Sequence, residues 1–337
     1  MDVKQLLRAP QTTFSFGLRF SLVLSGLIAA TLLVYWPGLS GPLLLDAYSN
    51  LSQKGDNGGV NNLANLRQFV FGNTSGPTGR PIAMLSFLID GQDWPLHVAS
   101  FKYTNLLIHV LNGLLLCWLV NVLFCHLLLS STQAPAQPSA ASSSSPALTP
   151  QNQAAVLALL VAAFWLLHPL NVSTTLYVIQ RMTQLMTLFP FGLLAVLSKE
   201  NGALLLLLIA IFELSIFRTS PSNGRFKLWY RVGVLFPLLI IFIYPLLDFP
   251  ASLAGYEFRH FSMVERLLTE SRILCIYLFK LFIPNTLNAG LLHDDFLLST
   301  SLFQPYTTLM AVCFLSALIA GALRARKNHP LFFFGVC

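Results

Sequence analysis

Six stretches of this chain are long, apolar and nearly free of charge, each bounded by charge, proline or glycine: residues 17–36, 104–129, 153–168, 201–217, 232–247 and 306–323. A run of about 20 such residues crosses a bilayer as a helix, because only a helix pairs all its own backbone N–H and C=O groups where water is absent. Only 10% of the 337 residues are charged, against roughly a quarter in a soluble domain. Disorder is excluded by the same balance, since it needs low hydrophobicity and high charge. The expected fold is all-α, a polytopic helical membrane protein with about 6 to 8 transmembrane helices and interfacial helices in its external loops. The upper count comes from residues 182–197, which Pro190 interrupts, and 264–284, which carry Glu265, Arg266, Glu270, Arg272 and Lys280.

Lys4, Arg8 and Arg19 precede the apolar run Phe20 to Tyr35, an arrangement shared with secretory signals. The run ends in Val34-Tyr35-Trp36-Pro37 rather than in a small-x-small cleavage site, so an uncleaved first helix is the better reading. At the other end, Leu331 to Cys337 reads as the start of a further span, and a truncated C-terminus is expected.

Twenty Lys and Arg against thirteen Asp and Glu give +7, yet no basic stretch is interleaved with aromatics, which argues against nucleic acid as a partner. In a membrane protein the excess sets orientation instead. With the N-terminus inside, Lys4, Arg8, Arg19, Arg218, Arg225, Lys227, Arg231, Arg324, Arg326 and Lys327 are cytoplasmic. That parity requires 169–200 to begin and end outside, and 248–305 to be one external loop with a membrane-hugging helix. The outside then receives nearly every acid, leaving only Asp2 and Glu213 within. An integral membrane location with the N-terminus cytoplasmic is expected from the loop charges, and the resemblance described below implies a bacterial inner membrane.

Three regions follow. Residues 1–129 form an N-terminal half whose first external loop is 38–100. Residues 130–152, rich in Ser, Pro, Ala and Gln and without a charge, read as a flexible cytoplasmic linker. Residues 153–337 hold the remaining helices and the external loop 248–305. The five cysteines are scattered without CxxC spacing, which argues against a metal finger or a disulfide framework.

Chemistry is expected in the external loops. Leu43 to Asn50 place Asp46 just beyond the first helix, where it serves equally well as a solvated loop carboxylate. Leu63, Leu66, Phe69 and Val70 have helical spacing and predict a short interfacial helix over 61–71. Gly76 to Pro81 then turn the chain, with Arg80 in the turn. In the second span Asn105, His109 and Asn112 stand at i, i+4 and i+7 and share a face, which predicts hydrogen bonds between helices before it predicts catalysis. His168-Pro169 ends the third span. Arg181 and Lys199, the latter followed by Glu200, are cations suited to a phosphate at headgroup level, although each also fits a snorkelling anchor. His293, Asp294 and Asp295 are adjacent and point different ways on any regular element, so the tripeptide alone does not make a metal site.

Taken in order, the Asp after the first span, the Gly-Arg-Pro turn, FKYTNLLIHVLNGLL, LLHPLNVSTTLYVIQRMT, LSKENGALL, ERLLTESRILCIYLFKLFIP and LLHDDF resemble bacterial relatives of the transmembrane and tetratricopeptide-repeat O-mannosyltransferases. These are polytopic glycosyltransferases of the GT-C fold, and the resemblance covers residues 35–325. It implies a membrane glycosyltransferase that moves a sugar from a polyprenyl-phosphate donor to a hydroxyl acceptor, a protein or a glycan, on the non-cytoplasmic face. Asp46 matches the family's catalytic base. Arg80, Arg181 and Lys199 become candidates for the donor phosphate, with His109, His168, Glu200, His293, Asp294 and Asp295 as further polar contacts. No cofactor is called for, and a divalent cation is left open. The chain departs from the family in having Asp46-Ala47 where two adjacent acids are common. It also has only 184–197 between the QRMT and SKENG motifs, and it lacks the repeat domain. These departures keep a second expectation alive, a degenerate non-catalytic scaffold or fragment of such an enzyme.

Overall fold

The structure is a computed structural model that describes residues 9–44, 47–52, 59–73, 79–90, 97–132, 148–188, 192–215, 228, 230–247, 256, 259–284 and 296–336. Among these every regular element is helical and there is no strand. Four helices are long and apolar enough to cross a membrane: Phe16–Ser40, Val98–Leu129, Pro150–Leu167 and Thr307–Ala325. Leu22, Leu33, Trp118, Leu160 and Met310 on these helices are exposed. Apolar surface of that extent is stable against lipid and not against water, so the protein is membrane-embedded. The chain forms two compact units, Met1–Phe189 and Pro190–Cys337.

In the first unit, helix α1 (Ala9–Tyr35) runs into a 3-10 turn at Trp36–Ser40. Three short helices follow, α2 (Ala47–Leu51), α3 (Leu63–Phe71) and α4 (Pro81–Phe87), the last continued by a 3-10 turn at Leu88–Asp90. Helix α3 is the one its spacing predicted. Asn62 caps it by accepting from the Asn65 backbone N–H at 2.8 Å, and Phe69 and Val70 are buried. The long helix α5 (Val98–Thr132) then packs along α6 (Pro150–Leu167). The contact follows from sequence: Ala154, Ala158, Ala162 and Leu166 recur every fourth residue on α6, and all are fully buried. Small side chains let two helix backbones approach closely, and Gly113 of α5 lies directly against Leu166. Leu27 of α1 and Cys117 of α5 complete that core. Helix α6 starts at Pro150, with Thr149 Oγ1 accepting from the Asn152 N–H at 3.3 Å, and stops at His168 because the residue before a proline avoids the helical region. Helix α7 (Asn171–Leu176), a 3-10 turn at Val178–Gln180 and α8 (Arg181–Leu188) return along α5.

The helices on either side of the 130–152 tract therefore lie in one unit, and residues 133–147 of that tract fall outside the described residues.

The second unit holds α9 (Gly192–Ser198), a 3-10 turn at Glu200–Ala203, α10 (Leu204–Ser215), a π turn at Arg231–Leu235 continuing into α11 (Phe236–Leu247), α12 (Met263–Phe282), α13 (Thr307–Ala325) and α14 (Pro330–Val336). The 3-10 turn at Glu200–Ala203 leads directly into α10 and the π turn at Arg231–Leu235 directly into α11, so residues 200–215 and 231–247 are helical throughout. The expected spans at 201–217 and 232–247 fall, as far as the described residues reach, on these two helical stretches, which pack through Leu206, Ala210 and Val234. The SKENG motif explains itself here. A Cβ on Gly202 would sit 2.3 Å from the carbonyl carbon of Ala195. Backbone cannot yield as a side-chain tip can, so Gly202→Ala is expected to cost about 1–3 kcal/mol, read as a lower unfolding midpoint in detergent.

Helix α12 begins with a reciprocal cap: Ser262 Oγ accepts from the Glu265 N–H at 3.2 Å and the Glu265 carboxylate accepts from the Ser262 N–H at 2.8 Å. Those bonds hold the Glu265 carboxyl below its ordinary value. A depressed carboxylate stabilises above its unfolded value and loses that contribution as pH falls through its folded one. The first turn of α12 is therefore expected to exchange its amide hydrogens faster as pH drops below about 4, the ordinary carboxylate range, and Glu265→Gln is expected to flatten that dependence. The 296–300 segment is tied to α12, since the Ser299 N–H donates to Thr269 Oγ1 at 2.9 Å and Arg272 donates to Leu297 O at 2.7 Å.

Candidate functional site

The polar groups of the first unit meet around Arg181. Its residue position opens α8, and its side chain is fully buried. Nε donates to Asn105 Oδ1 at 2.7 Å, one terminal nitrogen donates to Ser86 O at 3.0 Å and to Asp90 Oδ2 at 2.5 Å, and the other donates to Phe101 O at 2.8 Å. The guanidinium also lies 4.6 Å from the Phe87 ring centre. Burial pushes Arg181 below its usual value, and the adjoining Asp90 carboxylate opposes that shift. Asp90 is saturated in turn, because its other oxygen accepts from Thr104 Oγ1 and only 1% of its side chain is exposed. Three segments distant in sequence, 86–90, 101–105 and 177–182, are thereby bound to one cation.

Arg80 stands beside this cluster. It caps α4 in a left-handed conformation, φ 53° and ψ 51°, after Gly79 at φ 64°. Its side chain reaches the residue after Arg181, donating to Met182 Sδ at 3.2 Å. It is half-buried, whereas Arg181 is sealed. A non-glycine residue in that backbone region costs roughly 1 kcal/mol, and such outliers gather at functional sites.

The stripe on α5 bonds between helices as its spacing predicted. Asn105 Nδ2 donates to Val178 O at 3.2 Å, His109 Nε2 lies 3.0 Å from Leu166 O, and Asn112 Nδ2 donates to Gln184 O at 2.9 Å. His109 stacks on Trp165 at 4.6 Å and supplies a donor to a carbonyl orphaned at the end of α6. His168, also buried, accepts from the Leu170 N–H at Nδ1, 3.2 Å away. Both histidines thus have structural partners. Lys199 and Glu200 belong to the second unit, on either side of the start of its 3-10 turn. Asp46, His293, Asp294 and Asp295 lie outside the described residues. Among the described residues no group of three His, Cys, Asp or Glu is placed to hold a metal.

Two residues escaped the sequence reading. Asp90, the counter-ion of Arg181, had no local signal beyond being an acid between two apolar runs. Lys102 had one: with Asn105, His109 and Asn112 it forms a series at i, i+3, i+7 and i+10, so it extends the polar face by one turn.

Fold and site define a helical membrane protein with a buried charged cluster joining the segments between its long helices to the helices themselves. No family model, curated protein or solved structure matches the chain.

Proposed function

We propose that the protein is a membrane glycosyltransferase of the GT-C type, with its N-terminus cytoplasmic, that moves a sugar from a polyprenyl-phosphate donor to a hydroxyl of a protein or glycan on the non-cytoplasmic face. The observation that carries this reading is the convergence of separate motifs on one point. The Gly-Arg-Pro turn, the FKYTN segment and the QRMT segment meet through Arg80, Asn105, Arg181 and Met182. Helix α2, which starts one residue after Asp46, packs on the Val178–Gln180 turn of the same cluster, and its Ala47 and Leu51 are fully buried.

In this reading the acceptor oxygen attacks the anomeric carbon as the bond from that carbon to the phosphate oxygen breaks. Asp46 takes the hydroxyl proton, and the lipid phosphate leaves with its charge balanced by a cation. Arg80 is the cation we assign to that role. Arg181 is a positioning residue, because a sealed guanidinium with four hydrogen bonds inside the protein is not available to a phosphate. A strained Arg80 gives an unusual test: Arg80→Gly is expected to raise stability by roughly 1 kcal/mol while weakening donor binding at least tenfold. Equal donor affinity in the variant removes Arg80 from the site.

The direct test is sugar release from a labelled polyprenyl-phosphate donor by the purified chain, beside Asp46→Asn in the same detergent. Release by the wild type alone supports the reading, and none from folded protein ends it. A non-catalytic scaffold is the second reading, favoured by Ala47 where the family commonly has an acid: that position is fully buried, so it offers no room for a solvated carboxylate.

A further inference from the structure

Lys102 is a buried cation that has no anion beside it among the described residues. It is 3% exposed, and its ammonium donates to Gly41 O at 2.8 Å and Gly38 O at 3.2 Å. An ammonium carries three donors, so one is left over. Asp90 is held by Arg181 and Thr104, and among the described residues no carboxylate pairs with Lys102. Side chains on a helix lean toward its N-terminus, which carries the Lys102 ammonium toward the positive end of the α5 dipole. Two positive fields therefore coincide in a place from which water is largely removed, and a buried charge without a partner is strongly unfavourable. Helix α5 is 35 residues, about 50 Å, so its end turns extend beyond a hydrocarbon core of roughly 30 Å into the headgroup layer.

We propose that Lys102, with the Gly38–Gly41 turn that holds it, is the cationic element of a phosphate-binding site at the N-terminal end of α5. The turn aims the ammonium, the helix end adds its field, and the third N–H is given to a phosphate oxygen. This goes beyond the transferase reading, because an inactive chain carries the same uncompensated charge.

The test uses the full chain in phosphatidylcholine nanodiscs, titrated with inorganic phosphate, with dihexanoyl phosphatidic acid and with dihexanoyl glycerol, which lacks the phosphate. Phosphatidic acid is expected to bind at least tenfold more tightly than the glycerol lipid. Lys102→Met is expected to erase that preference and Lys102→Arg to retain most of it. Tighter binding of phosphatidic acid than of inorganic phosphate supports a lipid headgroup as the source, and equal binding supports free phosphate. Should Lys102→Met fail to fold, wild-type chain labelled with ¹⁵N at lysine Nζ gives the answer. The Lys102 resonance must move on adding phosphatidic acid or inorganic phosphate, and a resonance unmoved by both overturns the proposal. Sugar release is not read in any arm, so a failed transferase reading and a failed phosphate site are told apart.

Discussion

Arg181→Met is expected to lower stability by about 3–5 kcal/mol, the cost of leaving one member of a buried ion pair without the other. The Asp90 carboxylate would remain in place, its side chain 1% exposed, with Thr104 as its hydrogen-bond donor. Asn105 Oδ1, Ser86 O and Phe101 O would each lose the donor that Arg181 now provides. Arg181→Lys is expected to recover little, because an ammonium has three donors on a flexible stem and cannot reproduce a planar fork that serves four acceptors. The double variant Arg181→Met with Asp90→Asn is expected to be more stable than Arg181→Met alone, since no charge is then stranded. Denaturation in mixed micelles measures all three. An Arg181→Met protein within about 1 kcal/mol of wild type would show that the pair does not hold these segments together.

Asp46→Asn is expected to reduce sugar transfer by about 10²–10⁴-fold, the usual contribution of a positioned general base. Asparagine has nearly the same shape and no proton affinity, so donor binding should be retained while the rate collapses. Measuring donor affinity and rate on one preparation separates these two effects. An Asp46→Asn protein with undiminished turnover moves the base elsewhere, and the buried Ala47 directs the search away from its own position.

Several elements were legible from spacing alone. Leu63, Leu66, Phe69 and Val70 predicted α3, which buries Phe69 and Val70. Asn105, His109 and Asn112 predicted a hydrogen-bonding face, and each contributes a bond to another segment. Apolar runs say which residues prefer lipid, whereas the helix bounds depend on where turns form, as at Glu200–Ala203 and Arg231–Leu235. Lys102 was overlooked because a cation at the start of an apolar run looks like a boundary anchor until its contacts are seen.

The apolar runs and the scarcity of charge by themselves determined that this is a helical membrane protein, since unpaired backbone is too costly in lipid and long unbroken apolar runs, unlike the alternating short strands of a barrel, satisfy it as helices. The polar residues within and beside those helices were assigned by tertiary structure. Arg181 has the composition of a phosphate ligand and the position of a buried strut, because its counter-ion Asp90 lies 91 residues earlier in the chain. Lys102 reads as an ordinary flanking charge and is a buried one held by two backbone carbonyls, without a counter-ion among the described residues. Residue spacing carries the direction in which a side chain leaves its helix. What it meets there is decided by packing, and the partner settles whether a charge is structural or open to a ligand.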